Sequence, residues 1–328
     1  MNNKQLIAVV LGGASAERKI SIKTGTEVLK AINKNKYDVI LLDGATEKQL
    51  SAIDCNDGSC RISYETYLND GKNRRPDLMF LALHGTYGED GTIQSHLDQF
   101  GLKYTFSNAK SSANAMDKVI AKELFDKAGL LTAKQLILKK NNDVDINKIS
   151  KTLGSSVVVK PVKQGSSFGI SIAHNQKQLE SAIDEAFKFD SSVMIEKYIK
   201  GTEITVATMG NNKIEAMPVI EIKPTKSEFF DYYAKYNESG CKEICPAGIS
   251  DSLSRKAQKQ AILAHKALKC RGIARTDMII EEGTNNLYIL ETNTIPGMTP
   301  ISLLPKAAKA AGLTFTQLIQ KIIDLGME

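Results

Sequence analysis

The chain has 328 residues, 42% hydrophobic, 24% charged and 6% aromatic, with a formal net charge of +6. That is a globular composition, long enough for two or three domains. The basic excess is scattered Lys and Trp is absent, which argues against a nucleic-acid footprint or a base-stacking platform.

No apolar run is long enough to span a membrane. The five cysteines, Cys55, Cys60, Cys241, Cys245 and Cys270, are odd in number and form no CxxC. Reduced thiols in a cytoplasmic protein are expected. Cys241 and Cys245 could supply two metal ligands, but no nearby pair completes a set.

In chain order, the apolar run Leu6 to Leu11 is followed by Glu17, Arg18 and Lys19. It reads as a first strand and not as a signal peptide. "LIAVVLGG", a helix over about 21–33, "YDVILLD", "PDLMFLALHG" and the helical "TIQSHLDQFG" alternate through residues 1–116. Continuous Val/Ile/Leu strands separated by helices predict a parallel, helix-covered sheet. Ligands bind such sheets at the carboxyl ends of strands, where "GGASAE" and "HGTYGEDG" stand.

The texture changes after Met116. "DKVIAKELFDKAG" is an amphipathic helix closed by Gly129, and "KKNNDVDINK" is a polar connector. "SSVVVKP" and "GISIA" are strands joined by "VKQGSS"; a helix over about 176–188 and "SSVMIEKYI" follow. This predicts a small α+β domain over 117–201. In 202–328, "TEITVATMG", "KIEAMPVIEI", "ARTDMIIEEG" and "NNLYILETN" predict an antiparallel sheet, with helices over about 251–270 and 314–325. No internal repeat is evident.

Phosphate chemistry has no P-loop here. GxxxxGK[ST] is absent, since Gly71-Lys72 is followed by Asn, and so is GxGxxG. The remaining candidate is "KPVKQGSSFG". Gly165 and Gly169 bracket Ser166 and Ser167, a loop that can expose backbone N–H groups to phosphates. Lys160 would be an inward cation. The stretch reads equally as a plain Gly/Ser hairpin.

"ARTDMIIEEGTNNLYILETN" reads as a hairpin turning near Thr284. That register sets Asp277 opposite Glu291 and Arg275 opposite Asn293, all four on one face. Two opposed carboxylates repel unless a dication lies between them. Asp, Glu and Asn oxygens suit Mg²⁺ beside substrate phosphates, and Arg275 could meet developing negative charge. The alternative is a solvent-facing polar side of a sheet. Pro296-Gly297 then ends the strand and brings backbone N–H groups near the same place.

The glycine-rich loop, Asp277 with Glu291-x-Asn293, and "IEKYIKGTEITV" together resemble the ATP-grasp ligases. "GGASAERKIS", "LHGTYGEDGTIQ", "MDK", "KPVKQGSSFG", "EKYIKGTEITV", "DYYAKY", "CPAG", "RTDM" and "ETNTIPGMTPISLLP" occur in the order expected of the D-alanine–D-alanine ligases. The resemblance spans nearly the whole chain. It implies a three-domain ATP-grasp architecture, α/β and α+β, behind an N-terminal Rossmann-like parallel sheet.

The resemblance also implies a reaction. ATP phosphorylates one D-alanine, and the amine of a second attacks the acyl phosphate, as in peptidoglycan precursor synthesis. Lys118, Lys160 and Ser167 would contact ATP phosphates. Glu196, Lys197, the Ile199 backbone and Glu203 would hold adenine and ribose. Asp277, Glu291 and Asn293 would bind two Mg²⁺ or Mn²⁺. Arg275 and the Gly297 N–H would form an oxyanion hole. Glu17 would hold the first D-alanine's ammonium and join Ser166 and Tyr236 in a hydrogen-bonded trio. Lys235, Ser302 and Leu303 would hold the second carboxylate, with His84 nearby. Read without the resemblance, Glu17 is a helix N-terminal charge and His84 a satisfied strand-end histidine.

Residues 223–248 lack a clean period. Such a loop is usually a lid or disordered, with a loose surface excursion as the alternative; the resemblance makes it a lid carrying "DYYAKY". Relatives that make D-alanyl-D-lactate commonly carry Phe where Tyr236 stands, so Tyr236 points to amide formation. Gln164 stands where Glu is common, and Phe168 where Val is common. A homodimer through the first domain is also implied. Two other readings are a D-alanine–D-lactate ligase and a non-catalytic ATP-binding relative. Loss of a metal ligand or of Arg275 would mark the latter, and none is lost. A dehydrogenase would need the missing GxGxxG.

Overall fold

A computed structural model of the chain describes residues 4–53, 61–140, 144–165, 167–225 and 240–328. Three sheets organise it, each with apolar side chains turned toward helices.

The first sheet is parallel, in the order β2-β1-β3, from β1 (Gln5–Leu11), β2 (Tyr37–Asp43) and β3 (Leu78–Leu81). β1 and β3 are nearly continuous runs of buried apolar residues, as strands covered on both faces require, while the edge strand β2 is half-buried over Val39, Ile40 and Leu41. Helix α1 (Arg18–Ala31) follows β1, and three short helices, α2 (Glu47–Leu50), α3 (Tyr64–Asn69) and α4 (Thr92–Gln99), follow β2 and β3. The same core takes in Leu318, Ile319, Ile322 and Ile323 from the far end of the chain. The chain therefore closes back on its first sheet.

Asp117 separates α5 (Ala109–Met116) from α6 (Lys118–Lys127). It ends the first helix and caps the second, accepting from the N–H groups of Val119 and Ile120 at 3.1 and 3.2 Å. Lys118 therefore opens α6, and its buried stripe is Lys118, Ala121, Lys122 and Phe125.

The second sheet is antiparallel in the order β4-β7-β5-β6: β4 (Gln135–Lys139), β5 (Val157–Pro161), β6 (Ser171–Ala173) and β7 (Ser192–Lys197). Period-two alternation sends Val157, Val159, Val193 and Ile195 toward α7 (Ile146–Leu153) and α8 (Gln176–Ala186). Val158, Lys160 and Glu196 face the other way.

The third sheet is antiparallel in the order β11-β10-β8-β12-β13, with β9 (Glu215–Ala216) beside β8. Its strands are β8 (Gly201–Met209), β10 (Ile220–Pro224), β11 (Cys241–Ile244), β12 (Ile273–Glu281) and β13 (Leu287–Asn293). Ile204, Val206, Met278 and Ile289 pack on α6 and on α9 (Asp251–Ala267), whose Ala257, Ala261 and Ala264 let it approach closely. Two helices end the chain, α10 (Leu303–Ala310) and α11 (Phe315–Met327).

Two elements differ from the sequence reading. The polar connector is flanked by β4 and gives way to α7 at Ile146. The irregular segment begins and ends as paired strands, with Lys223 opposite Lys242 and Pro224 opposite Cys241. Among the described residues no helix is long and apolar enough to cross a membrane. Among the described residues Cys241, Cys245 and Cys270 form no disulfide, while Cys55 and Cys60 lie outside the described residues.

Candidate active site

The second and third sheets face each other across a cavity of about 370 Å³. One wall is Val158, Lys160, Ile172 and Glu196. The other is Glu203, Ile222, Asp277, Ile279, Leu290 and Glu291. Lys197, Ile199 and Ser167 also line it. A second cavity of about 100 Å³ adjoins it, lined by Glu17, His84, Arg275, Asn293, Gly297, Ser302 and Leu303, among others. Lys118 and Glu291 border both, so the two spaces meet at one cation and one carboxylate. Every site residue named from the sequence that falls among the described residues lines one of these cavities. Ser166, Lys235 and Tyr236 lie outside the described residues.

The hairpin of β12 and β13 pairs Asp277 with Glu291 and Arg275 with Asn293. Beyond Asp277 the register shifts, because Met278 pairs with Ile289 and Leu290 is left over as a β-bulge. The bulge changes which way the strand faces. Leu287 and Ile289 enter the core under α9, yet Leu290 and Glu291 both line the cavity. A strict alternation would have kept Ile289 and Glu291 on one side.

Arg275 and Asp277 are 8% and 4% exposed. The guanidinium donates from Nε to Oδ1 at 2.9 Å and from Nη2 to Oδ2 at 2.7 Å. Thr205, opposite Asp277 on β8, donates to Oδ1 at 2.5 Å. Burial alone would lower the arginine, but Asp277 outweighs it, with Glu291 and Glu89 beyond, and the guanidinium is held more firmly protonated than usual. Asn293 Oδ1 accepts from Ile295 N at 2.8 Å, the turn that ends the strand.

Among the described residues no three His, Cys, Asp or Glu side chains make a metal cluster. The available donors are the Asp277 and Glu291 carboxylates and the Asn293 amide. Hard oxygens from adjacent strands, open to a cavity, fit a Mg²⁺ or Mn²⁺ that draws its remaining ligands from a substrate.

A buried charge triad stands behind the larger cavity. Glu196 is ion-paired to Lys122 through one oxygen and to Lys160 through the other. Lys122 also donates to the Ala133 carbonyl at 2.6 Å. Burial would raise the Glu196 carboxyl, but the two lysines prevail and hold it below the usual range. Burial lowers Lys122, with Glu196 opposing. Two cations and one anion leave a net positive wall, suited to a polyanion.

Lys118 reaches the carbonyl of Gln164 in the glycine-rich loop, Nζ to O at 2.5 Å. That loop joins β5 to β6 along the seam of the two cavities.

Glu17 sits at the N-cap of α1 without capping it, and is 4% exposed. Its carboxylate lies over Gly85, where a Cβ would come within 2.6 Å of Oε2. The preceding loop is fixed by Asp43, which is fully buried and accepts from Gly13 N, Ala45 N and Arg18. Gly12 and Gly13 both have positive φ, and a Cβ on Gly12 would meet Arg18 and Asp43 at 2.6–2.9 Å. His84 bonds Thr24 through Nε2 at 2.9 Å and stands 3.6 Å from Glu89 through Nδ1. It is a satisfied strand-end histidine that also borders the cavity.

Gly297 passes so close to Ser302 that a Cβ would lie 2.8 Å from its Oγ. Ser302 in turn opens α10 toward the smaller cavity. A helix N-terminus presents free N–H groups to an anion such as a carboxylate.

The sequence reading missed Lys122, Glu89, Glu243 and Thr205. Lys122 had a signal, since it shares the buried stripe of α6 with Lys118, Ala121 and Phe125. Glu89 lies in "HGTYGEDG", already placed at a strand end; burial raises its carboxyl, with Glu17 adding and His84 opposing. Glu243 borders the smaller cavity and pairs with Lys306.

Two antiparallel sheets closing on a cleft with lysines on one wall and oxygen donors on the other, behind a parallel domain, form the ATP-grasp fold of carboxylate-activating ligases. Residues 6–107 match the family profile "D-ala D-ala ligase N-terminus" and residues 124–324 match "D-ala D-ala ligase C-terminus". The chain belongs to the D-alanine–D-alanine ligase family. It is 42% identical over 326 residues to the D-alanine–D-alanine ligase of Syntrophobacter fumaroxidans, covering 99% of this chain and 98% of the relative. It is 43% identical to that of Clostridium beijerinckii, covering 97% of each. Among solved structures, the VanG D-Ala:D-Ser ligase from Enterococcus faecalis superposes with a TM-score of 0.82 at 31% identity, over 99% of this chain and 100% of that one. The Bacillus anthracis D-alanine–D-alanine ligase complexed with ATP gives 0.77 at 33% identity, over 98% and 96%.

Proposed function

We propose that this enzyme joins two D-alanines with ATP, through a D-alanyl phosphate, as a step of peptidoglycan precursor synthesis. The observation that carries the reading is the meeting of the two cavities at Lys118 and Glu291. Nucleotide in the larger one would direct its γ-phosphate toward a carboxylate in the smaller one. Phosphoryl transfer of this kind asks chiefly for positioning and charge neutralisation.

In this reading Lys118 and Lys160 hold phosphates, together with the loop at Ser167. Lys197, Glu203 and the Ile199 backbone hold adenosine. Glu196 contributes to the same site; its carboxylate is engaged with Lys122 and Lys160. Glu17 holds the ammonium of the first D-alanine, and the start of α10 at Ser302 and Leu303 receives the carboxylate of the second. The γ-phosphoryl moves to the first carboxylate, leaving ADP. The second amine then attacks the acyl carbon and loses a proton, a C–N bond forms, and phosphate departs. Arg275 and the Gly297 N–H face the negative charge that builds on the carbonyl oxygen. Glu17, Ser166 and Tyr236 form the trio that steers the amine, and Lys235 assists at the second carboxylate. Asp277, Glu291 and Asn293 would hold two Mg²⁺ or Mn²⁺, which supply neutralisation of phosphate charge when bound.

The reading includes three domains, 1–116, 117–201 and 202–328, a homodimer through the first, and a cytoplasmic location. The reading also takes segment 223–248, of which residues 226–239 lie outside the described residues, as a lid, because an acyl phosphate must be shielded from water. The test is phosphate release by the full chain with ATP and D-alanine, repeated with D-lactate or D-serine as the second substrate and with product identified by mass. Dipeptide as the dominant product supports the reading. No phosphate release with D-alanine overturns it, and a dominant mixed product with D-lactate moves the assignment to the ester-forming relatives.

A further inference from the structure

The glycine-rich loop is anchored at both feet to one short turn, residues 187–190, between α8 and β7. On the incoming side, Lys163 N donates to Asp190 Oδ2 at 2.8 Å and Gln164 Nε2 donates to the Phe189 carbonyl at 3.1 Å. On the outgoing side, the Phe168 ring stacks on Phe189, with centroids 6.4 Å apart and planes 25° apart. Gly169, at φ +70°, runs so close beneath that a Cβ would meet the Phe189 ring at 2.7 Å and Pro161 at 2.9 Å. Gln164 and Phe168, the two places where the loop departs from the family pattern, thus both rest on Phe189.

Between these feet lies Ser167, which lines the larger cavity with φ of 61°. A non-glycine residue in that conformation persists where its surroundings over-determine it. The stack supplies part of that constraint, and Asp190, itself tied to Ser192 N at 3.1 Å, supplies more.

We infer that Phe189 is a positioning residue for nucleotide phosphates. It acts through Phe168 and Gly169, holding the loop tip along the seam of the cavities. This rests on the reading of the loop as a phosphate binder. An aromatic stack and a hydrogen bond each contribute on the order of 1 kcal/mol. Losing the ring should therefore weaken phosphate-bearing ligands about three- to tenfold and leave adenosine alone.

The experiment measures Kd for ADP and for adenosine by calorimetry on the full chain, with KM for ATP and kcat alongside. Phe189→Ala and Phe168→Ala should each raise the ADP Kd and the ATP KM about three- to tenfold. Phe189→Tyr, which keeps the ring, should restore both. The double variant should be no worse than either single one, because both remove the same stack. An adenosine Kd that rises as much as that of ADP, an unchanged ADP Kd, or additive losses would each overturn the inference. The binding arms stand apart from turnover. An inactive wild-type chain sinks the ligase reading, whereas an active one with phosphate affinity indifferent to Phe189 sinks only the positioning role.

Discussion

Arg275 and Asp277, two apart on one strand, are locked by paired hydrogen bonds of 2.9 and 2.7 Å while both are nearly buried. The guanidinium thus offsets one of two opposed carboxylates and keeps donors toward the smaller cavity. Lysine at this position would keep the charge and lose the fork. Arg275→Lys should lower kcat about 10²- to 10³-fold, the usual cost of losing an oxyanion donor, with little change in ATP affinity. Equal losses in kcat and in ATP affinity would instead indicate damage to the larger cavity.

Glu291 faces Asp277 across the strands and borders both cavities. Glu291→Gln keeps the shape and removes one charge from the donor set. Turnover should fall by about two orders of magnitude or more. Mn²⁺ binding in the presence of ADP, followed by electron paramagnetic resonance, should weaken in parallel, and thermal unfolding should stay close to that of the parent. Undiminished Mn²⁺ binding would remove Glu291 from the ligand set.

How much of this was legible in the sequence follows from the periods involved. Arg275, Asp277, Glu291 and Asn293 could be placed on one face because a strand repeats every two residues and the turn near Thr284 set the register. The bulge at Leu290 could not, since one extra residue in a ladder has no composition of its own. Lys122 was hidden by the expectation that lysine is solvated; its burial depends on Glu196, 74 positions away. The short strand carrying Glu243 has no alternating pattern and takes its shape from pairing with Ile220–Pro224.

The Lys122–Glu196–Lys160 triad gives a stability prediction. Removing one member of a buried ion pair leaves uncompensated charge and costs about 3–5 kcal/mol. Glu196→Gln should lose about that much in denaturant unfolding, because it strips the one anion from between Lys122 and Lys160. Glu196→Gln with Lys122→Met should recover part of the loss, since the buried like-charge pair is then gone. A Glu196→Gln protein as stable as the parent would mean that the two lysines need no anion between them.

The last prediction concerns pH. His265, on α9, is fully buried against β8, with Nδ1 2.9 Å from Thr208 Oγ1. Thr208 also donates to the Ala274 carbonyl at 3.3 Å, and the Cys270 backbone is a further partner of the ring. Burial pulls the imidazole down to about 4 from the ordinary 6.5. A depressed folded value means that the unfolded chain takes up the proton first as pH falls. The contribution of His265 is therefore fully present above about pH 6.5 and is lost progressively toward pH 4, in total about 3 kcal/mol. At pH 5 the parent should have lost about 2 kcal/mol of it. His265→Asn removes the titration while keeping a hydrogen-bonding group near Thr208. It should be less stable at pH 7.5, and its stability should fall less steeply than the parent's between pH 7.5 and 5 in matched urea titrations. Parallel pH profiles for the two proteins would show that His265 takes up its proton equally in the folded and unfolded states across that range.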